Sequence, residues 1–291
     1  MSPALRHAVV RLLQARLGCR GVVREQAVAG GDVDPAVRLD TDRGSVFVKW
    51  SPDGGARLWA ERDGLERLAH TGCVRVPEVV GLAESEDGAA LVLRWVEARA
   101  RTQADAETLG AQLAALHRHA APAYGLERDN FIGPLPQRNT PTESWVEFYR
   151  VHRLGVQAEM AGRRRSLDPS TLRALDRLAA RLDRWLSEPE EGPSLLHGDL
   201  WAGNWLVDAH GPVVVDPAVY YGHREVELAF TELFRGFPQA FYAAYGEAWP
   251  LAAGYEDRRP LYQLYPLLVH ANLFGGAYAQ SVRRVVRRYA G

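Results

Sequence analysis

The sequence predicts an α+β chain of two unequal lobes, a small β-rich lobe followed by a larger, mainly helical one. Three observations carry this expectation. Short apolar runs separated by glycine- and aspartate-bearing turns fill residues 22–94, interrupted by one helical pattern. From Trp95 onward, apolar residues recur at three- and four-residue spacing instead. A length of 291 residues also exceeds the usual size of one domain, so each lobe can bury its own core. The boundary is accordingly drawn to leave lobes of residues 1–94 and 95–291.

The elements follow in order. Ala4 to Leu17 fits a short amphipathic helix. Gly30 and Gly31 mark a turn between β runs, and the polar turn from Thr41 to Gly44 joins Ala36–Leu39 to a strand ending on Lys49. A helix through Leu58, Glu61, Leu65 and Leu68 comes next, then a strand pair turning at Asp87-Gly88. In the second lobe, Leu109, Leu113 and Leu116 form one helical stripe, and Trp145 to Met160 a second helix. Asp168-Pro169 opens a third helix with a capping carboxylate and a first-turn proline, its core face running from Leu172 to Trp185.

Composition narrows the function classes. Apolar residues at 47% and charged residues at 24% are those of a globular chain, and a net charge of −1 gives no global pull toward nucleic acid or an anionic membrane. The only cysteines, Cys19 and Cys73, are too few for a disulfide framework or a zinc cluster. Arg6, Arg11 and Arg16 interrupt any apolar leader, and Gln263, Pro266, His270 and Asn272 break up the most apolar late stretch. The expectation is a cytoplasmic protein; oligomeric state is not legible.

The basic residues are 34 arginines and one lysine, Lys49. A compact ammonium sits between phosphate oxygens and a carboxylate in a way the planar guanidinium does not. Downstream, Asp199 and Asn204 have the D-x-x-x-x-N spacing of a kinase catalytic loop, and an apolar strand, Val213 to Val215, ends in Asp216 where a second metal ligand belongs. In that scheme Asp199 accepts the proton of the acceptor hydroxyl, while Asn204 and Asp216 hold Mg2+ against ATP. Glu61, on the helix after Lys49, is the expected partner of the ammonium; Gly30 and Gly31 let backbone approach phosphate; Leu93, Trp95 and Val96 face adenine between the lobes. The fold expected is therefore protein-kinase-like. Between Asp216 and Glu225 there is no Ser or Thr, and no A-P-E follows, which favours a small or side-chain-adduct acceptor over protein Ser/Thr.

The strings His197-Gly198-Asp199-Leu200-Trp201-Ala202-Gly203-Asn204 and Asp216-Pro217-Ala218-Val219-Tyr220-Tyr221-Gly222-His223-Arg224-Glu225 resemble the fructosamine kinase, or ketosamine 3-kinase, family, a branch of the aminoglycoside and choline kinase-like group. Weaker matches, among them Asp129 to Gly133, Gln137 with Asn139, and Leu261 to Tyr265, extend the resemblance along nearly the whole chain. It implies phosphorylation of the sugar O3 hydroxyl of a small-molecule or protein-bound ketosamine, with Asp199 as base and Asn204 and Asp216 on magnesium. It also implies Trp201 as a wall for the adduct, and Tyr220, Tyr221, His223 and Glu225 as pocket residues. The chain departs from the family pattern at Asp32 and Asp34, where Ser and Asn are common, at Ala202 for serine, at Arg94 for glutamate, and at Glu227 for a loop-fixing aspartate. Extra acids beside a triphosphate are unfavourable unless they point away or meet metal.

Two other readings stay open at this point. One is a kinase for an aminoglycoside, choline-like or other small alcohol; the other is a nucleotide-binding pseudokinase without turnover. Retention of Lys49, Asp199, Asn204 and Asp216 together speaks against the second.

Overall fold

The protein is described by a computed structural model covering residues 1–28, 34–53 and 55–289. Helix α1 (Pro3–Leu17) is opened by Ser2, whose side chain accepts from the Leu5 N–H, and closed by Gly18 in the left-handed conformation. Strands β1 (Val22–Ala27), β2 (Ala36–Thr41), β3 (Gly44–Ser51), β4 (Val79–Ser85) and β5 (Gly88–Arg94) form one antiparallel sheet in the order β1-β2-β3-β5-β4. Helix α2 (Ala56–Thr71) crosses between β3 and β4.

Both faces of the inner strands are covered, which explains the continuous apolar run of β5. Ala90 and Val92 pack with Leu5, Val9 and Leu13 of α1, while Ala89, Leu91 and Leu93 pack with Leu58 and Leu65 of α2. The period of two then decides the site. Val46 and Val48 of β3 are fully buried toward α1, so Phe47 and Lys49 face the opposite side, where an interlobe cleft opens.

The second lobe begins with α3 (Gln103–His117), fixed by a reciprocal cap between Thr102 and Asp105. The hairpin of β6 (Asn130–Ile132) and β7 (Leu135–Gln137) follows. The predicted second helix is one continuous rod of three parts: α4 (Trp145–Phe148), a π-helical stretch from Tyr149 to Gly155, and α5 (Val156–Arg164). Helix α6 (Pro169–Ala179) starts at Asp168 as expected but stops short of the predicted stripe; Leu182 reaches the core from a separate 3-10 turn, and Trp185 is only half-buried.

Strand β8 (Ser194–Leu196) leads into the loop that carries Asp199. Strands β9 (Trp205–Asp208) and β10 (Gly211–Val214) then form a hairpin, so Val213 and Val214 belong to its second arm and Asp216 lies two residues beyond it. Strand β11 (Tyr220–Gly222) returns to pair with β8. The chain finishes with α7 (Arg224–Leu233), α8 (Gln239–Ala248), α9 (Tyr255–Tyr262), α10 (Leu264–Phe274) and α11 (Gly276–Tyr289). Helices α3 and α8 touch backbone to backbone at Gly110, where any Cβ would lie 2.2 Å from the Phe241 carbonyl oxygen. No helix among the described residues is long and apolar enough to cross a membrane.

Candidate active site

A cleft of about 850 Å³ separates the sheet lobe from the helical lobe, lined by Lys49, Glu61, Asp199, Asn204 and Asp216. These five come from β3, α2, the loop after β8, and the turn after β10. The Lys49 ammonium bridges two carboxylates, Glu61 Oε2 at 2.8 Å and Asp216 Oδ1 at 2.5 Å. Asn204 Nδ2 donates to the Asp199 carbonyl at 2.9 Å and to its carboxylate at 3.2 Å, so the amide oxygen is the atom left for another partner.

The backbone of this loop is tightly specified. Gly198 has φ +86 and lies against the Ala218 carbonyl, which a Cβ would approach to 2.0 Å; no other residue fits there. The His197 ring donates from Nε2 to the Val215 carbonyl and accepts the Asp199 N–H at Nδ1, a neutral tautomer consistent with burial holding its pKa down. Glu227, buried on α7, accepts from the backbone N–H groups of His197 at 2.9 Å and Gly198 at 2.6 Å, and from His117 Nε2 at 2.9 Å. It thus meets the loop where an aspartate was expected, one methylene longer and tethered by a histidine. Asp216 itself is a non-glycine residue at φ +53, strain held in place by Val215 N–H to Asn204 O and Ala218 N–H to His197 O.

Electrostatics separate the three acids. Burial and the Asp216 charge push the Asp199 carboxyl well above the usual carboxylate range, only partly opposed by the Asn204 hydrogen bond. Burial acts on Asp216 too, but the Lys49 ammonium outweighs it and holds that carboxyl below its ordinary value. Burial likewise raises Glu61 against the pull of Lys49. The ammonium, which burial alone would weaken as an acid-base cation, is held protonated by its two carboxylates. Asp199 is therefore the stronger proton acceptor and Asp216 the more readily ionised of the two.

Of the other expected residues, Leu93, Trp95 and Val96 line the cleft, and Trp201 stands at its rim, 39% exposed. Gly30 and Gly31 lie outside the described residues. Tyr221, His223 and Glu225 do not line the cleft, and Tyr220 lines a small adjoining pocket with Gly198 and Asp199 instead. The buried Tyr220 ring carries the Arg153 guanidinium 3.8 Å above it. Tyr221 exchanges backbone hydrogen bonds with Gly125. His223 caps α7, and Glu225 is fully buried on Arg258 at 2.7 and 2.8 Å.

Several cleft residues carry no signal in the sequence. Phe234, His270, Phe274 and Tyr278, from the end of α7 and from α10 and α11, form a ring cluster that closes one end, with His270 centred 4.6 Å from Phe234 and 5.0 Å from Tyr278. Arg57 of α2 lines the cleft from the sheet lobe, with Lys49 and Glu61. Asn130, Gln137 and Asn139, noted only as family matches, form a buried amide network that binds the Ala218 and Val219 carbonyls just after Asp216.

Comparison with known proteins places this geometry. The family model described as fructosamine kinase matches residues 5–290. A probable ketoamine kinase of Enterococcus faecium is 39% identical over 264 residues, covering 90% of this chain and 94% of that protein. The ketosamine-3-kinase of Mus musculus is 34% identical, covering 95% and 98%. A crystal structure from Thermobifida fusca with a provisional fructosamine-3-kinase name is 36% identical and superposes with a TM-score of 0.86 over 96% of this chain and 97% of its own. An aminoglycoside phosphotransferase bound to ADP and hygromycin B, 18% identical with a TM-score of 0.65 over 98% and 99%, shares the protein-kinase-like fold. By sequence along its whole length, and with a fold to match, this chain belongs to the fructosamine kinase family.

Proposed function

We propose that the chain transfers the γ-phosphoryl group of ATP to the O3 hydroxyl of a ketosamine, the adduct of an amine with glucose, ribose or a related sugar. The observation that carries this reading is the convergence of Asp199, Asn204, Asp216 and the Lys49–Glu61 pair on one cleft of a fructosamine kinase family member. Relatives bear ketosamine-3-kinase and protein-ribulosamine 3-kinase names.

In this reading the O3 oxygen attacks the γ-phosphorus while the bond from that phosphorus to the ADP oxygen breaks, and the hydroxyl proton passes to the Asp199 carboxylate. The raised basicity of Asp199 suits that task. Lys49, aimed by Glu61, faces the phosphates. Asn204 and Asp216 offer an amide oxygen and a carboxylate, hard donors that suit magnesium together with phosphate oxygens. Bound there, the ion would offset the charge that grows on the phosphoryl oxygens. Residues 1–94 are assigned to the nucleotide lobe, residues 95–291 to the catalytic and acceptor lobe, and the protein to the cytoplasm.

The acceptor end argues for a singly charged substrate over a polycationic antibiotic. Of the carboxylates lining the cleft among the described residues, Glu61 and Asp216 are held by Lys49 and Asp34 by Arg57, which leaves Asp199. Rings close the far end, suited to one secondary ammonium and its hydrocarbon arm. A screen with labelled ATP tests the assignment: transfer to ribulosyl- or fructosyl-lysine is expected. Label appearing on an aminoglycoside alone, or on nothing, would sink it.

A further inference from the structure

We propose that Arg57 is a second cation of the nucleotide-phosphate subsite and that Asp34 restrains it, so that this ion pair sets how tightly the chain takes the terminal phosphates of ATP. The inference rests on reading the cleft as the ATP site.

Arg57 lies four residues before Glu61 on α2, hence on the same helix face, and both line the cleft beside Lys49. Its Nη2 donates to Asp34 Oδ1 at 2.7 Å and to the buried Ser51 hydroxyl at 3.0 Å. Among the described residues its buried Nε meets no acceptor, and only Nη2 is engaged. A guanidinium offers a planar fork of N–H donors that matches phosphate oxygens. Among the described residues the Nη1 donors are left over, on a side chain that lines a cleft built for a polyanion.

Asp34 completes the argument. It is one of the acids that set this chain apart from the family pattern, and its side chain is buried at the charged end of the cleft. Alone it would repel a triphosphate. Paired with Arg57 it is neutralised, but the same contact competes with phosphate for the guanidinium. Lys49 is restrained in the same way by Glu61 and Asp216, so Lys49 and Arg57 are both cleft cations kept on carboxylates. The two differ in kind: the ammonium is a point charge, the guanidinium a directional fork.

The test is equilibrium binding of ATP, ADP and AMP with magnesium and without acceptor, followed by calorimetry. Arg57→Gln is expected to weaken ATP about tenfold or more while AMP stays within about twofold, because charge-assisted contacts to the terminal phosphates are lost. Asp34→Asn is expected to tighten ATP by about threefold or more, as the fork is released and a repulsion removed. A gain of affinity does not arise from misfolding, so Asp34→Asn decides the matter even if Arg57→Gln is unstable. Unchanged ATP binding in a folded Arg57→Gln protein overturns the phosphate role; unchanged or weaker binding in Asp34→Asn overturns the restraint. Since no acceptor is present, a chain that shows this pattern yet phosphorylates no ketosamine refutes the acceptor assignment and leaves the ion pair standing.

Discussion

At one end of the cleft Lys49, Glu61 and Asp216 form a chain of ion pairs at 2.5 and 2.8 Å, with Arg57 and Asp34 at 2.7 Å beside them. At the other, the rings of Phe234, His270, Phe274 and Tyr278 pack at tilted and edge-on angles with centroids between 4.6 and 6.3 Å apart. The difference follows from what each end must hold. A triphosphate needs charges placed to tenths of an ångström, and loss of one partner leaves another charge uncompensated in a partly buried site. A sugar adduct with one ammonium needs a dry, shaped wall, where each ring shares the load with its neighbours. Substitutions in the Lys49–Glu61–Asp216 chain should therefore cost most of the activity, and those at the second end should be graded.

The largest effect is expected where the two ends meet. Asp199→Asn should lower the transfer rate by about 100- to 10,000-fold, the usual worth of a positioned proton acceptor, while ATP affinity persists. Near-normal turnover would remove Asp199 from its role. A titration of the nucleotide-free protein probes the same carboxyl. Its proton is held to higher pH than in an ordinary aspartate by burial and the Asp216 charge, so the base form is lost early as pH falls. The Asp199 carboxyl carbon signal should accordingly titrate above the ordinary value of about 4. A midpoint at or below that value contradicts the electrostatics described for the loop.

Next comes Lys49→Arg. The charge survives, but the guanidinium is too broad for the gap between Glu61 and Asp216, and a fall of about 100-fold in kcat/KM for ATP is expected. An unaffected rate would mean that the charged end tolerates changes of shape, and the contrast between the two ends would weaken. At the acceptor end, Phe274→Ala should raise the acceptor KM about tenfold at most, leaving the ATP KM within about twofold, since one ring of several is lost. A change confined to the ATP KM would place that cluster against the nucleotide instead.

The same contrast explains what was legible in the sequence. Lys49 stands out because arginine replaces every other lysine, and Asp199, Asn204 and Asp216 because phosphoryl transfer needs fixed residue types at short spacing on one loop and the turn after it. The sheet was legible from its turns and its apolar runs. The aromatic end was not. Phe234, His270, Phe274 and Tyr278 are drawn from three helices, and at helical spacing an aromatic facing a cleft looks the same as one facing the core. The π-helical stretch from Tyr149 to Gly155 was hidden for a related reason: it is imposed by tertiary packing, with the buried Arg153 held by the Arg138 carbonyl and Asn139 and stacked on Tyr220. Arg57 was one arginine among 34, distinguished only by its neighbours in space.

The smallest effect is expected at Tyr221, a residue the family resemblance assigns to the pocket and the fold places elsewhere. It stands opposite Leu195 of β8, its backbone N–H and carbonyl are both exchanged with Gly125, and its ring packs against the cluster that includes Leu109, Leu113 and Tyr245. No described residue accepts from or donates to its hydroxyl, so Tyr221→Phe removes nothing that the structure uses, and both KM values and kcat should stay within about twofold. Tyr221→Ala, by contrast, empties part of that cluster and should lower the melting temperature while leaving both KM values in place. If Tyr221→Phe instead raised the acceptor KM about tenfold, as loss of a substrate hydrogen bond would, then the acceptor would reach past Asp199 to β11. The ring cluster would not be the far wall of the site, and the division of the cleft into a charged and an aromatic end would have to be redrawn around β8 and β11.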